Sequence, residues 1–133
     1  MTILSLQHFN LPIAPDGDKL AREFYVDLLG FEEIERPESI RHRSGGWFSV
    51  GSVNLHLTVQ DPFVANKVGH PAFVVDDIIK LTQHLRDAGY EVSEDPTFIG
   101  FLRRTTYDPF GNRVELMQPE DMVQPEDMVQ HKL

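Results

Sequence analysis

The spacing of apolar positions divides the chain into two similar runs of strand and helix. Residues 3–13 read as a strand, with Ile3, Leu6 and the stretch from Phe9 to Ile13 supplying apolar and β-branched character. Pro12 marks a strand end or a sheet edge. A turn cluster from Ala14 to Asp18 follows, with Asp16 or Asp18 placed to cap a helix. Leu20, Phe24 and Leu28 then recur at i, i+4 and i+8, and Ala21, Tyr25 and Leu29 widen the stripe. Gly30 stands where a helix-ending glycine belongs. Three short strands are expected next, at 31–36, Gly46–Val50 and Val53–Val59.

The same order of elements then begins again. Residues 69–76 read as a strand, Asp76 or Asp77 serves as a cap, and Ile78, Leu81, Leu85 and Ala88 form one apolar helix face ended by Gly89. Strands are expected at 90–94, Phe101–Tyr107 and 112–118. Helix, glycine stop and aromatic-led strand thus occur twice, in LLGFEEIERP and RDAGYEVSEDP. The pattern predicts an α+β fold of two βαβββ modules, about 3–60 and 69–118, within one domain of residues 1–119. Each such module leaves one sheet face bare, so two copies bury what neither buries alone. Residues 120–133 form an acidic tail in which QPEDMV, starting at Gln118, is repeated at once from Gln124. Met122, Val123, Met128 and Val129 in it suit a short helix or docking on a partner chain.

Composition narrows the classes. A length of 133 residues with 41% hydrophobic and 25% charged residues is ordinary for a globular domain. No apolar run approaches the roughly 18 residues of a membrane helix. The N-terminus lacks the basic region and small-residue cleavage site of a secretory signal, so a cytoplasmic location is expected. The absence of cysteine excludes disulfides, thiolate metal sites and cysteine nucleophiles. The net charge of −9, with scattered Lys and Arg, argues against nucleic-acid binding, which needs a basic face.

Candidate chemistry lies in four residues at matched places. His8 falls in the opening strand of the first module and His70, 62 residues later (8 to 70), begins the opening strand of the second. His56 lies in the last strand of module one, in NLHLT, and Glu115, 59 residues later (56 to 115), in the last strand of module two, in RVELM. Alternation sends His56 to the face opposite Leu55 and Leu57, and Glu115 opposite Val114 and Leu116. A carboxylate among apolar strand residues is costly unless it is paired or metal-bound. A divalent ion resolves that cost, and imidazoles with one carboxylate suit Zn, Ni, Mn or Fe(II). Trp47, Phe48, Phe101 and Tyr107 are candidate pocket aromatics. Asn10 shares the face of His8 and is a candidate substrate contact. Arg103 and Arg104 point to opposite faces, so at most one enters a cavity, and Arg103 is a candidate for substrate binding.

On these residues the chain resembles the vicinal-oxygen-chelate superfamily of glyoxalase, bleomycin-resistance and dioxygenase proteins. The likeness rests on His8 in LQHFNLPI, the helix end EFYVDLLGF, His70 in GHPAFVVDD and the turn-and-strand DPFGNRVEL from Asp108 to Leu116. It implies a curved cavity between mixed sheets, one divalent metal held by His8, His56, His70 and Glu115, and assembly as a homodimer. It also implies chelation of neighbouring oxygens of a small-molecule substrate, stabilisation of an enolate or oxyanion, and Glu115 or His56 as base. Glutathione-dependent relatives carry glutamate at the place of His56 and arginine near Pro12, which speaks against glutathione. Ring-cleaving dioxygenases carry a catalytic histidine and a tyrosine upstream of the glutamate; the tyrosine's place falls near Thr105, and no histidine lies between Tyr90 and Glu115. The phosphonate-binding polar cluster of fosfomycin-modifying relatives is not reproduced around 101–106. Bleomycin-binding relatives lack the metal ligands. The sequence therefore favours a metal-dependent lyase or isomerase, with a metal-dependent dioxygenase or a non-catalytic binding protein as the alternatives.

Overall fold

The structure is a computed structural model that describes residues 1–127. Its described residues divide into two compact units, residues 1–66 with Pro109–Asn112, and Lys67–Asp108 with residues 113–127. Unit 1 runs β1 (Phe9–Ile13), α1 (Asp18–Arg22, continued as a π-helix over Glu23–Leu28), β2 (Glu32–Ile34), a 3₁₀ turn (Glu38–Ile40), β3 (Gly46–Val50) and β4 (Val53–Val59). Unit 2 runs β5 (Ala72–Val74), α2 (Ile78–Asp87), β6 (Val92–Phe98), β7 (Phe101–Tyr107), β8 (Arg113–Pro119) and a 3₁₀ turn (Glu120–Met122).

Both sheets have the same topology. The orders are β1-β4-β3-β2 and β5-β8-β7-β6, with the first and last strands of each module parallel and the other pairs antiparallel. The expected α+β architecture of two βαβββ modules is present. In each sheet the last strand of the module is central, so its alternation decides which side chains go under the helix. On β4, Leu55 and Leu57 are buried together with Leu11 and Ile13 of β1, Phe48 of β3 and the helical residues Ala21, Phe24 and Tyr25. On β8, Val114 and Leu116 are buried together with Leu102 of β7 and Ile78, Thr82 and Leu85 of α2, which packs against β6, β7 and β8.

Several boundaries differ from expectation. The opening strand starts at Phe9 rather than residue 3, because the pairing with β4 begins there, and Ile3, Leu4 and Leu6 are exposed. His8 therefore precedes the strand. β5 likewise begins at Ala72, leaving His70 two residues before it. Pro12 sits inside β1, which tolerates it as an edge strand. Neither Asp16 nor Asp18 caps α1: Gly17 is the cap residue and the Asp18 carboxylate instead accepts from the Gly45 amide at 2.6 Å. The π-helical stretch turns the apolar stripe, so Ala21, Phe24 and Tyr25 are buried while Leu20 is half exposed. The second helix starts as expected, with Asp77 accepting from the Lys80 amide at 3.1 Å, but its buried face is Ile78, Thr82 and Leu85, Leu81 is half-buried, and Ala88 is exposed past the helix end. β6 runs later and longer than 90–94, and its ladder with β7 slips between Asp95 and Phe98. In the tail Met122 is exposed and Val123 buried, while Met128 and Val129 lie outside the described residues.

Gly45 shows how tightly unit 1 closes. Its φ is +95°, and a Cβ there would strike the carbonyl oxygen of Leu57. Gly51 also has positive φ, at +56°, but open space around it. Gly51→Ala should cost only the left-handed backbone penalty of about 1–2 kcal/mol. Gly45→Ala should add an overpacking cost of about 1–3 kcal/mol. Urea unfolding of the two variants measures the difference, and equal midpoints would refute the close approach.

Candidate functional site

The polar faces of the two sheets carry the residues marked by the sequence, and each face has its own chemistry. In unit 1 the register aligns Asn10 of β1, His56 of β4 and Trp47 of β3 across neighbouring strands, on the face opposite Leu55 and Leu57. The indole of Trp47 stacks on the imidazole of His56 at 4.2 Å between centroids and 3° between planes. His8, just ahead of β1, covers the other side of His56 at 3.9 Å and 15°. His56 is thus the middle ring of three. Burial first, and the neighbouring His8 second, push its pKa below the ordinary imidazole value. Of the four aromatics singled out in the sequence, Trp47 joins this face, Phe48 belongs to the core, and Phe101 and Tyr107 lie on β7 of unit 2.

In unit 2 the corresponding face is charged. Glu115 is 7% exposed and lies between Ala72 of β5 and Thr105 of β7 in the register. Arg103, two residues along β7, donates from Nη2 to Glu115 Oε1 at 2.5 Å. That hydrogen bond is the main reason the Arg103 pKa is raised. The partner of Glu115 is therefore Arg103, not its own strand neighbour Arg113. Arg104 points the other way and is buried at 1% exposure, its Nη1 donating to the Arg103 carbonyl and its Nη2 3.8 Å from Glu94. Burial lowers its pKa.

Beside the pair lies a second polar group that the sequence did not mark. Thr105 Oγ1 donates to Asp95 Oδ2 at 2.6 Å, and Ser93 Oγ lies 3.4 Å from Asp95 Oδ1. The register sets Ser93 opposite Thr105 and Asp95 opposite Arg103, so strand parity alone could have placed all of them with Glu115.

The two histidines ahead of the edge strands share a feature relevant to metal ligation. His70 Nδ1 lies 2.7 Å from the Val68 carbonyl, and His8 Nδ1 lies 2.7 Å from Gln7 Oε1. Both acceptors are carbonyl oxygens, so each Nδ1 is the donor and the neutral ring presents its lone pair at Nε2. Metal-ligating histidines are oriented in this way by the atoms around them. The residue after His70, Pro71, accepts through its carbonyl from the Glu115 amide at 3.0 Å. The structure brings His8 and His56 together, and Glu115 together with Arg103. Among the described residues, no group of three His, Asp or Glu is gathered that could hold a metal ion.

Comparison with known proteins gives a consistent picture. The profile described as Glyoxalase/Bleomycin resistance protein/Dioxygenase superfamily matches residues 6–116. No curated protein matches the chain. Among solved structures, a glyoxalase family protein from Bacillus anthracis is 35% identical, with 90% of this chain and 98% of that one covered, at a TM-score of 0.83. The fosfomycin resistance protein FosX from Listeria monocytogenes is 19% identical over 88% of this chain and 94% of its own, at 0.70. TnmS3, an antibiotic binding protein from a Streptomyces species, is 22% identical over 90% and 98%, at 0.67. The last two show likeness of fold alone.

The ring stack makes one prediction about protonation. In the metal-free chain, His56 should titrate below the ordinary imidazole value of about 6.5. Its linked stability is then complete above that unfolded value and is lost as pH falls through the folded one. His8→Ala removes both cover and a neighbouring charge, so it should move the His56 titration upward in NMR spectra. A His56 pKa at or above the ordinary value in the wild type would contradict the packing described.

Proposed function

This chain belongs to the Glyoxalase/Bleomycin resistance protein/Dioxygenase superfamily, and from that premise we propose that it is a metal-dependent enzyme of lyase or isomerase type. Its substrate is a small molecule bearing two adjacent oxygens. The observation that carries this reading is the matched placement of donors. His56 and Glu115 occupy the polar face of the two central strands, and His8 and His70 precede the two edge strands with Nδ1 tied to a carbonyl. Nitrogen and carboxylate donors in this ratio suit Zn, Ni, Mn or Fe(II).

His8, His70 and Glu115 would hold the ion, and His56 is the fourth donor of the matched set. When bound, such an ion supplies Lewis-acid polarisation of the two substrate oxygens. Glu115 takes up the proton released by the substrate, and His56, neutral at pH 7 because its pKa is depressed, is the second candidate acceptor. Arg103 compensates the charge of Glu115 and meets an anionic substrate from the same face. Asn10 and Trp47 orient the substrate from the face of unit 1. No membrane-crossing helix exists among the described residues, and the partner we assign is a second copy of this chain. Two observations support that partner: no group of three donors forms among the described residues, and Ile3, Leu4 and Leu6 are exposed.

A second reading, a non-catalytic protein that binds small molecules, is favoured by the Arg103–Glu115 pair, which already satisfies one carboxylate oxygen. Metal analysis of purified protein separates the two readings: about one divalent ion per chain supports the enzyme, and none supports the binder. Turnover is then followed against a panel of small compounds with adjacent oxygens. Glu115→Gln should retain the fold and lose about 10²–10⁴-fold in turnover, the usual contribution of a positioned base. Unchanged turnover would remove Glu115 from that role. Neither His8→Ala nor Glu115→Ala should bind metal alone, whereas a mixture of the two should recover binding if ligands come from two copies. A mixture that stays inactive beside a metal-binding wild type would place all ligands in one chain.

A further inference from the structure

The β6–β7 hairpin carries a backbone cost that packing within its own unit does little to offset. Its two-residue loop is Ile99–Gly100, set between the paired residues Phe98 and Phe101. Both loop residues have positive φ, +50° at Ile99 and +77° at Gly100. Loops of this kind favour Asn-Gly, because a β-branched side chain is crowded in left-handed backbone. Ile99 stands there all the same, and it is 76% exposed. Phe98 beside it is 57% exposed. Apolar side chains left in solvent on strained backbone point to a contact outside the fold itself.

A bulge decides which way Phe98 faces. Between the pairs Asp95–Arg103 and Phe98–Phe101, β6 advances three residues and β7 only two, so β6 carries one extra. Without it, alternation would turn Thr97 to the face of Asp95 and Phe98 to the helix side. With it, Phe98 stands opposite Phe101, two residues from Arg103, and joins the polar face of Arg103, Thr105 and Glu115. Its ring centroid lies 5.6 Å from the carbon of the Arg103 guanidinium. Arg103 is thus bonded to Glu115 and faced by an aromatic ring. From these placements we infer that the hairpin tip, Phe98 with Ile99, is an apolar wall of the candidate site in unit 2. It takes an aromatic or branched apolar substituent of the substrate, whose oxygen-bearing end lies at Arg103 and Glu115. The inference rests on the substrate reading above and deepens it, because it names a second, apolar part of that molecule. Asn at position 99 would make the better turn; Ile makes the better wall.

Lactate and 3-phenyllactate serve as probes. Both carry a carboxylate beside a hydroxyl oxygen, and they differ only by a phenyl group on the methyl carbon. Titrated into the full chain and followed by NMR, 3-phenyllactate should bind about tenfold more tightly than lactate, through burial of its ring on the wall. Phe98→Ala should abolish that preference. Ile99→Asn should reduce it while raising the melting temperature by about 2–8 °C, because the left-handed backbone is relieved. Both side chains are exposed, so neither change removes core packing. Lactate should bind alike in all three proteins. Equal affinity of the wild type for the two acids, or no binding of 3-phenyllactate, overturns the inference. So does a full preference that survives in either variant. A halved mass of Ile99→Asn in light scattering would assign the tip to a second copy of the chain and overturns it too. The metal reading is tested apart, by running both titrations on the metal-free and the Zn²⁺-treated chain. A chain that takes up no Zn²⁺ fails that reading, and the preference for 3-phenyllactate still decides this one.

Discussion

A β-strand with neighbours on both sides has two faces, and in each unit one of them must be dry. β4 and β8 are the central strands that meet this condition, and their leucines and valine fill the dry side against a helix. Every second residue is thereby committed to the other face, whatever its polarity. His56 and Glu115 are the residues so committed. Their position does not depend on loops, caps or the exact ends of strands, which explains why it survives the shifts of boundary seen elsewhere in the chain.

The two units answer the cost of polar side chains in different ways. In unit 1 the residues are neutral rings, and packing does the work: flat faces cover each other, and burial disfavours a charge on His56. In unit 2 the buried carboxylate of Glu115 calls for a counter-charge, which Arg103 supplies across the strand pair. Asp95, Thr105 and Ser93 extend that polar face by hydrogen bonds.

The same division bears on where an ion would sit. Carboxylate and guanidinium are matched charges, so an incoming cation competes with Arg103 for Glu115 rather than filling a bare anionic hole. The histidines ahead of β1 and β5 are better prepared, because carbonyl acceptors fix which nitrogen is free. Preparation of this kind is local, made by residues adjacent in sequence such as Gln7 and Val68.

By itself the sequence determined the repeat, the two helices, the α+β class and the facing of His56 and Glu115, because these follow from periodicities of 2 and 3.6 that are written in neighbouring residues. It also offered Asp77, beside Asp76, as a cap, and placed Arg103 and Arg104 on opposite faces. It misplaced the start of β1, the cap of α1 and the buried stripe of that helix. Those depend on which residues pair across the sheet and on a π-helical turn that no local pattern signals. The tertiary structure alone decided that Arg103 and not Arg113 meets Glu115, that Asp18 holds the amide of Gly45, and that Trp47, His56 and His8 stack. Each of these joins residues on different elements, and a contact across strands is set by register and side-chain reach, quantities that chain order does not contain.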